Sequence, residues 1–425
     1  MPTCPGCRAW RRGCCAVDSG AEHWPASRLA VLSIAHTAVS HAAGRLRYQP
    51  LAQDAGLDLT VIVPQRWYQF GRWLDADPAG ESGIPVVPLP VRLPRAGRAS
   101  WYLHTYPGLR RQVRDLQPDV IHLWEEPWSL VALQASILAR RAGAALVLEV
   151  DQNIIKRLPP PFESIRRYVL ARTRLVLSRS HDATAVIRAA GYTGPALPIG
   201  YGVDQSVFRP CGAEPAASPP FRLGYVGRLV EEKGLDDVLS ALERLPAAMV
   251  GFTVMGEGPY ERALRARVDA AGLGGRVTFQ PWVAPEGVAT FLQRQHAIIL
   301  PTRTTPAVKE QFGRVIIEAQ ACGTPVIGST SGAIPGVIGP GGWVVPERDP
   351  SALAALLAHL AVTPAEVADR GVAGQANIAA RFTYAAVANV LRQGWRQAAM
   401  LHAEAAVTRQ RRGTGRAIIA GGEHP

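Results

Sequence analysis

Two carboxylates, Glu310 and Glu318, stand in the stretch KEQFGRVIIEAQACGTPVIGSTSGAIP that runs from Lys309 to Pro335. On one continuous helix they would point roughly 80° apart, at about 3.6 residues per turn, and would not converge. With Glu310 in a loop ahead of the helix and Glu318 inside it, both can face one elongated ligand. Backbone N–H groups from Phe312 to Val315 have no carbonyl partners at such a helix start, so they can receive phosphate oxygens between the two carboxylates. Gly313 has no side chain to hold a ligand away. Carboxylates for hydroxyls at each end, with amides for phosphates between them, suit a nucleoside diphosphate sugar.

The elements that must hold these groups follow from pattern. Val315, Ile316 and Ala319 recur at helical spacing, which predicts a helix over Arg314 to Ala321. Gly323 stands where a left-handed C-cap belongs, and Thr324-Pro325 forbids continuation. Val326 to Gly328 then predicts a short buried parallel strand, and His296 to Pro301 another just ahead of the loop. Similar apolar runs predict strands at Arg28–Ala35, Leu59–Val63, Val86–Leu89, Asp119–Trp124, Leu146–Val150, Phe221–Val226, 251–255 and 276–283. Helical patterns lie between them at Tyr48–Ala55, Tyr106–Arg114, Ile165–Val176 and Tyr384–Ala399. Strands alternating with helices predict an α/β fold with parallel sheets, which bind ligands beyond the strand ends. At 425 residues the chain exceeds one ordinary core.

Glu310-Gln-Phe-Gly with Glu318-Ala-Gln-Ala-Cys-Gly-Thr-Pro-Val-Ile resembles the two-glutamate signature of the retaining glycosyltransferase family 4, which has the GT-B fold. That resemblance covers about residues 29–400. It implies two Rossmann-like parallel-sheet domains facing a central cleft. The expected division is a disordered leader 1–27, an acceptor domain 28–205, a linker 206–220 and a donor domain 221–380. A helix 381–402 then crosses back to the first domain, and a flexible tail 403–425 follows. The family's Gly-Arg…Glu-Lys-Gly element is matched by Gly227-Arg228 and Glu232-Lys233-Gly234. It implies that Arg228 and Lys233 neutralise the departing diphosphate without a metal, through charge-assisted hydrogen bonds of about 1.5–3 kcal/mol each. Glu318 would hold the ribose, Glu310 the sugar hydroxyls, and Phe312, Gly313 and Arg314 the phosphates. Gly227 and the Gly256-Glu-Gly258-Pro259 turn would approach the nucleotide, and Val283 would meet the base. His41 and Glu126 fall on the acceptor side. Where the family commonly has a catalytic histidine, this chain has Asp151-Gln152-Asn153. Asp151 is the candidate base there and would need to lie within about 3 Å of the attacking oxygen. Asn153 is a candidate for a hydroxyl contact. The implied reaction moves a sugar to a hydroxyl of a glycan, lipid or small-molecule acceptor, with no cofactor beyond the nucleotide-sugar co-substrate. A nucleotide-sugar 2-epimerase and a non-catalytic donor-binding protein are the rival readings.

The net charge is +12. Its excess sits in the N-terminal half, in one group from Arg92 to Arg114 and a second from Arg166 to Arg179. Attraction to an anionic membrane surface and a solvated arginine-rich surface both fit this distribution. Basic residues lack aromatic interleaving and no nucleic-acid motif is present, so nucleic acid is not an expected partner. No run of 18 apolar residues suggests a membrane span, and the N-terminus lacks a signal-peptide core, which predicts a cytoplasmic protein, peripheral to the inner membrane face if lipid is the acceptor. Cys4, Cys7, Cys14 and Cys15 lack the matched pairs of a zinc site, and no metal is expected.

Overall fold

A computed structural model describes residues 28–39, 44–69, 72–77, 83–95, 98–212 and 220–420. The leader with its four cysteines, His41 and residues 213–219 of the linker lie outside the described residues. Two parallel sheets account for the strands expected from the apolar runs. The first has the order β5-β2-β1-β6-β7-β8-β9. Its strands are β1 (Leu29–Ile34), β2 (Leu57–Pro64), β5 (Val86–Leu89), β6 (Val120–Trp124), β7 (Ala145–Val150), β8 (Thr173–Ser178) and β9 (Ala196–Pro198). Between β2 and β5 a small antiparallel hairpin intervenes, β3 (Arg66–Gln69) and β4 (Arg72–Asp75). The second sheet has the order β12-β11-β10-β13-β14-β15. Those strands are β10 (Phe221–Val226), β11 (Val250–Met255), β12 (Val277–Gln280), β13 (Ala297–Leu300), β14 (Val326–Ser329) and β15 (Gly342–Val345).

Apolar side chains alternate across both faces of each sheet, so each sheet is sealed by helices on both sides. In the first, Leu32, Ile121 and Leu148 face one helical layer, whereas Val31, Val147 and Leu175 face the other. In the second, Leu223, Phe252 and Ile299 oppose Val226, Ile298 and Leu300. Each fully buried Val, Leu or Ile contributes about 1.5–3 kcal/mol of transfer free energy. The long final helix, Tyr384–Ala420, closes the first sheet rather than the second: Val387, Leu391 and Trp395 pack with Val31, Val147 and Leu175. The chain thus returns to its first domain, and beside the return the Val203 N–H donates to Phe382 O at 2.8 Å.

Several boundaries differ from the sequence reading. The helix expected over 165–176 is Phe162–Leu170 followed directly by β8, because the apolar residues of 173–178 alternate into a sheet. The helix expected at 48–55 is a 3-10 segment, Arg45–Leu51, with Pro50 inside it. The final helix continues well past Ala399. The second arginine group is not a free basic surface. Arg166 and Arg167 pair with Glu163, Arg172 lies over the Tyr168 ring, and Arg179 is fully buried. In the first group Arg111 and Arg114 both reach Asp115. No single helix among the described residues is long and apolar enough to cross a membrane; the bent pair Pro350–Leu360 and Pro364–Arg381 qualifies only in combination.

Candidate active site

Helix Arg314–Ala321 begins at Gly313, whose φ of 80° and ψ of 68° lie in the left-handed region. A Cβ at Gly313 would stand 2.8 Å from both Ile316 Cδ1 and Leu300 Cδ2, so glycine is required on steric and conformational grounds. Phe312 is buried and meets the rings of Tyr201 and Phe382 edge-on, at 5.0 and 5.6 Å between centroids. It anchors the loop and leaves the next amides pointing along the helix axis. Among the described residues the N–H groups of Gly313, Arg314 and Val315 meet no hydrogen-bond acceptor. Amides left free at a helix start are the groups that can receive an anion.

Glu310 lies in the preceding loop. Its Oε2 accepts from Lys233 Nζ at 2.6 Å and from Thr302 Oγ1 at 3.1 Å. Lys233 and Glu310 remain in partial contact with solvent, at 22% and 14% side-chain exposure, so a polar ligand can reach both. Lys233 is therefore brought to the loop that leads into the helix. Arg228 is exposed, with no carboxylate partner among the described residues. Its carbonyl accepts from the Tyr225 hydroxyl at 2.9 Å. Burial and Glu310 raise the pKa of that hydroxyl while Arg228 lowers it, so Arg228 and Glu310 act on one phenol. Glu318 is half-buried along the helix; burial raises its pKa and Arg314 counteracts this. Arg314 itself is exposed, its guanidinium 5.8 Å from the Tyr201 ring centre.

The floor of the site is made where loops cross. Gly227 N–H donates to Met255 O at 3.1 Å, and Leu229 N–H to Glu257 O at 2.9 Å, joining the loops after β10 and β11. A Cβ on Gly256 would lie 1.9 Å from Gly227 O, so the two chains can touch only without side chains. Val283 is half-buried between β12 and helix Pro285–Gln293. A cavity of about 570 Å³ at the opposite end of the second sheet, lined by Phe221, Met249 and Val367 among others, includes none of these residues. It is not the same site.

Across the cleft, the acceptor-side residues take roles that their types alone did not reveal. Asp151 is not a free base. Its Oδ1 accepts from Arg179 Nε at 2.6 Å and its Oδ2 from Trp124 Nε1 at 2.9 Å. Both carboxylate oxygens are thus held by the protein itself. Arg179 in turn meets the fully buried Glu149, which Arg47 grips with two bonds of 2.7 and 2.8 Å. Glu126 Oε1 accepts from the amides of Asp151 and Gln152, both at 2.8 Å, so it shapes the 151–153 loop. It does not cap the following helix, because Ser129 does that through Ala132 N–H. Burial, and then the Asp151 charge, push the Glu126 pKa up to about 7. Asn153 is nearly buried and points not at open cleft but at the other domain. Its Nδ2 donates to Lys309 O at 3.1 Å and to Glu310 O at 3.0 Å. Lys309 Nζ pairs with Asp182 at 2.8 Å, a second link between the same loop and the first domain.

Sequence reasoning missed Asn153 as a clamp, and it missed a group of His36 beyond β1, Glu125 beyond β6 and His104 after helix Arg98–Leu103. Its members stand far apart in the sequence, so no local pattern joins them.

Residues 213–370 match the family model described as "Glycosyl transferases group 1". The chain is 28% identical over 280 residues to the 2-deoxystreptamine N-acetyl-D-glucosaminyltransferase of Streptomyces fradiae, covering 60% of this chain and 65% of that one. It therefore spans just under two thirds of that relative. It is 32% identical over 286 residues to the GDP-mannose-dependent monoacylated alpha-(1-6)-phosphatidylinositol monomannoside mannosyltransferase of Corynebacterium glutamicum, covering 63% and 74%. Among solved structures, Anabaena HepE in complex with UDP superposes with a TM-score of 0.65 at 17% identity, covering 86% and 98%. That likeness shows the GT-B fold. With two parallel-sheet domains, the glutamate loop and the glycine-floored cleft in place, the chain belongs to the group 1 glycosyltransferases.

Proposed function

We propose that this chain transfers a glycosyl group from a nucleoside diphosphate sugar to a hydroxyl of a glycan, lipid or small-molecule acceptor, with retention at the anomeric carbon and without a metal at the diphosphate. The observation that carries the reading is the Lys233–Glu310 pair, 2.6 Å apart, which joins the turn after β10 to the loop leading to unpaired amides at a helix start. Phosphate oxygens seated on those amides lie near the Lys233 ammonium, with Arg228 exposed to reach them. Charge that builds on the leaving diphosphate is then met by cations already in position, which lowers the barrier without reorganisation. Glu310 holds sugar hydroxyls and Glu318 the ribose. Val283, Gly227 and Gly256 border the base and phosphates.

Retention needs no carboxylate nucleophile here: Asp151 is engaged by Arg179, and the 151–153 segment supports the cleft. The acceptor hydroxyl enters from the first domain. Its proton passes to the departing phosphate oxygen on the same face of the sugar, and this front-side arrangement preserves configuration. Relatives named for phosphatidylinositol mannosides support a lipid acceptor, and on this reading the protein works in the cytoplasm, peripheral to the inner membrane face. Nucleic acid is not among the proposed partners. The test is turnover with UDP-, GDP- and ADP-sugars over an acceptor panel, with the anomeric product read by NMR. Glu310→Ala and Lys233→Ala should each abolish transfer while leaving the fold intact. Undiminished transfer by both variants refutes these roles, and an inverted product refutes retention.

A further inference from the structure

Glu125 lies just beyond β6 in a group separate from the Lys233–Glu310 pair. Its Oε1 faces two imidazole nitrogens: Nδ1 of His36, just beyond β1, and Nε2 of His104, 3.3 Å away. The ligand-type atoms of the three side chains lie within 4.8 Å of one another. His104 Nδ1 is 2.8 Å from Ser100 O. A carbonyl only accepts, so Nδ1 carries the hydrogen, and a ring without a second hydrogen on Nε2 turns a lone pair towards the carboxylate oxygen. Two acceptors facing each other repel unless a cation stands with them. Trp67 lies against both imidazoles, at 4.8 and 5.1 Å between ring centres, and closes the group from outside.

His104 Nε2, Trp67 Nε1 and Tyr106 Oη are all buried polar atoms without a hydrogen-bond partner. Native interiors seldom leave such atoms unpaired, and the His104 Nε2 that faces Glu125 is the one a bound cation would satisfy. Side-chain exposures of 14% for His36, 5% for Glu125 and 0% for His104 leave no passage for a sugar. Two imidazoles and a carboxylate are the donors that divalent zinc-like cations take, with a further position for water. The His104 N–H to a main-chain carbonyl is the outer contact that fixes a metal-binding ring.

We propose that His36, His104 and Glu125 bind one divalent transition-metal cation of the zinc class. It ties the end of β1, the end of β6 and the segment after helix Arg98–Leu103 into one wall on the acceptor side of the cleft. The diphosphate chemistry remains with Arg228 and Lys233. The three ligands are far apart in sequence, which is why spacing gave no hint of them.

The test uses the whole chain with Cys4, Cys7, Cys14 and Cys15 replaced by Ser, so that leader thiols cannot take up metal. After stripping with a chelator, titration with Co²⁺ should give one equivalent bound, with visible bands of a low-symmetry site and no thiolate charge-transfer band. Zn²⁺ should displace Co²⁺ and raise the melting temperature. Glu125→Ala and His104→Ala should lose stoichiometric binding, whereas His359→Ala, at a surface histidine, should keep it. If neither ligand variant folds, the parent titration still decides. Absence of stoichiometric uptake by the folded parent overturns the proposal, as does unchanged binding in a folded ligand variant. NMR evidence for an imidazolium at His104 in protein that takes up no metal would identify the cation as a proton, and overturns it equally.

Discussion

Asn153→Ala isolates the contact by which the first domain holds the Lys309–Glu310 loop of the second. The side-chain amide donates to Lys309 O and Glu310 O at 3.1 and 3.0 Å. Glu310 O also accepts from Ala333 N at 3.1 Å, so the substitution removes one of two supports at that carbonyl. A neutral hydrogen bond contributes a net ~1 kcal/mol. Losing two therefore costs about 2 kcal/mol of loop positioning, which corresponds to roughly a 30-fold fall in kcat/KM if the loop must be so held in the transition state. Asn153→Asp should be worse, since its carboxylate would face two carbonyl oxygens with no hydrogen to share. The assay is initial-rate kinetics with donor and acceptor varied separately, alongside thermal melts to establish folding. The fall should appear mainly in kcat, because the amides proposed to seat the phosphates and Lys233 remain. A folded Asn153→Ala enzyme within about twofold of the parent in kcat/KM would refute the clamp.

Glu126→Gln should stabilise the protein at alkaline pH. The folded-state pKa of Glu126, raised to about 7 from 4.5, makes the fold favour the neutral carboxyl, so its contribution is full below the unfolded pKa and is lost as pH climbs towards 7. At roughly 1.4 kcal/mol per pKa unit the loss approaches ~3 kcal/mol, less what partial solvent contact screens. Melts at pH 5 and pH 8.5 should show the variant gaining on the parent only at the higher pH; equal gains at both pH values would count against it. Gly256→Ala places a methyl where Gly227 O stands 1.9 Å away, and should abolish UDP- or GDP-induced thermal shifts even in folded protein. A normal nucleotide shift in that variant would show that the floor of the site can yield.

The loop, helix and strand from Lys309 to Pro335 were legible because each boundary has a local chemical cause: Gly313 at the start, Gly323 and Pro325 at the end. The resemblance alone pointed to Arg228 and Lys233, through Gly227-Arg228 and Glu232-Lys233-Gly234, since nothing in their spacing ties them to the Lys309–Pro335 stretch. What could not be read is what one half of the chain does to the other. Asn153 grips main-chain carbonyls, which every residue has, so no partner type advertises the contact. Arg179 was counted as a surface cation because charge composition cannot distinguish a solvated guanidinium from one buried against Glu149 and Asp151. The strand at 173–178 was taken into the preceding helix since three-residue and two-residue periodicities overlap in so short an apolar run.

The final helix supplies Leu391 and Trp395 to the first sheet, so that domain is assembled from both ends of the chain. Cutting the polypeptide between the sheets would leave the earlier piece with a bare apolar wall and the later piece with an unmated one. Two strands of backbone, not one, run side by side between the halves. The two meet at the bridge between Val203 and Thr383, so any movement of one half against the other strains both crossings at once.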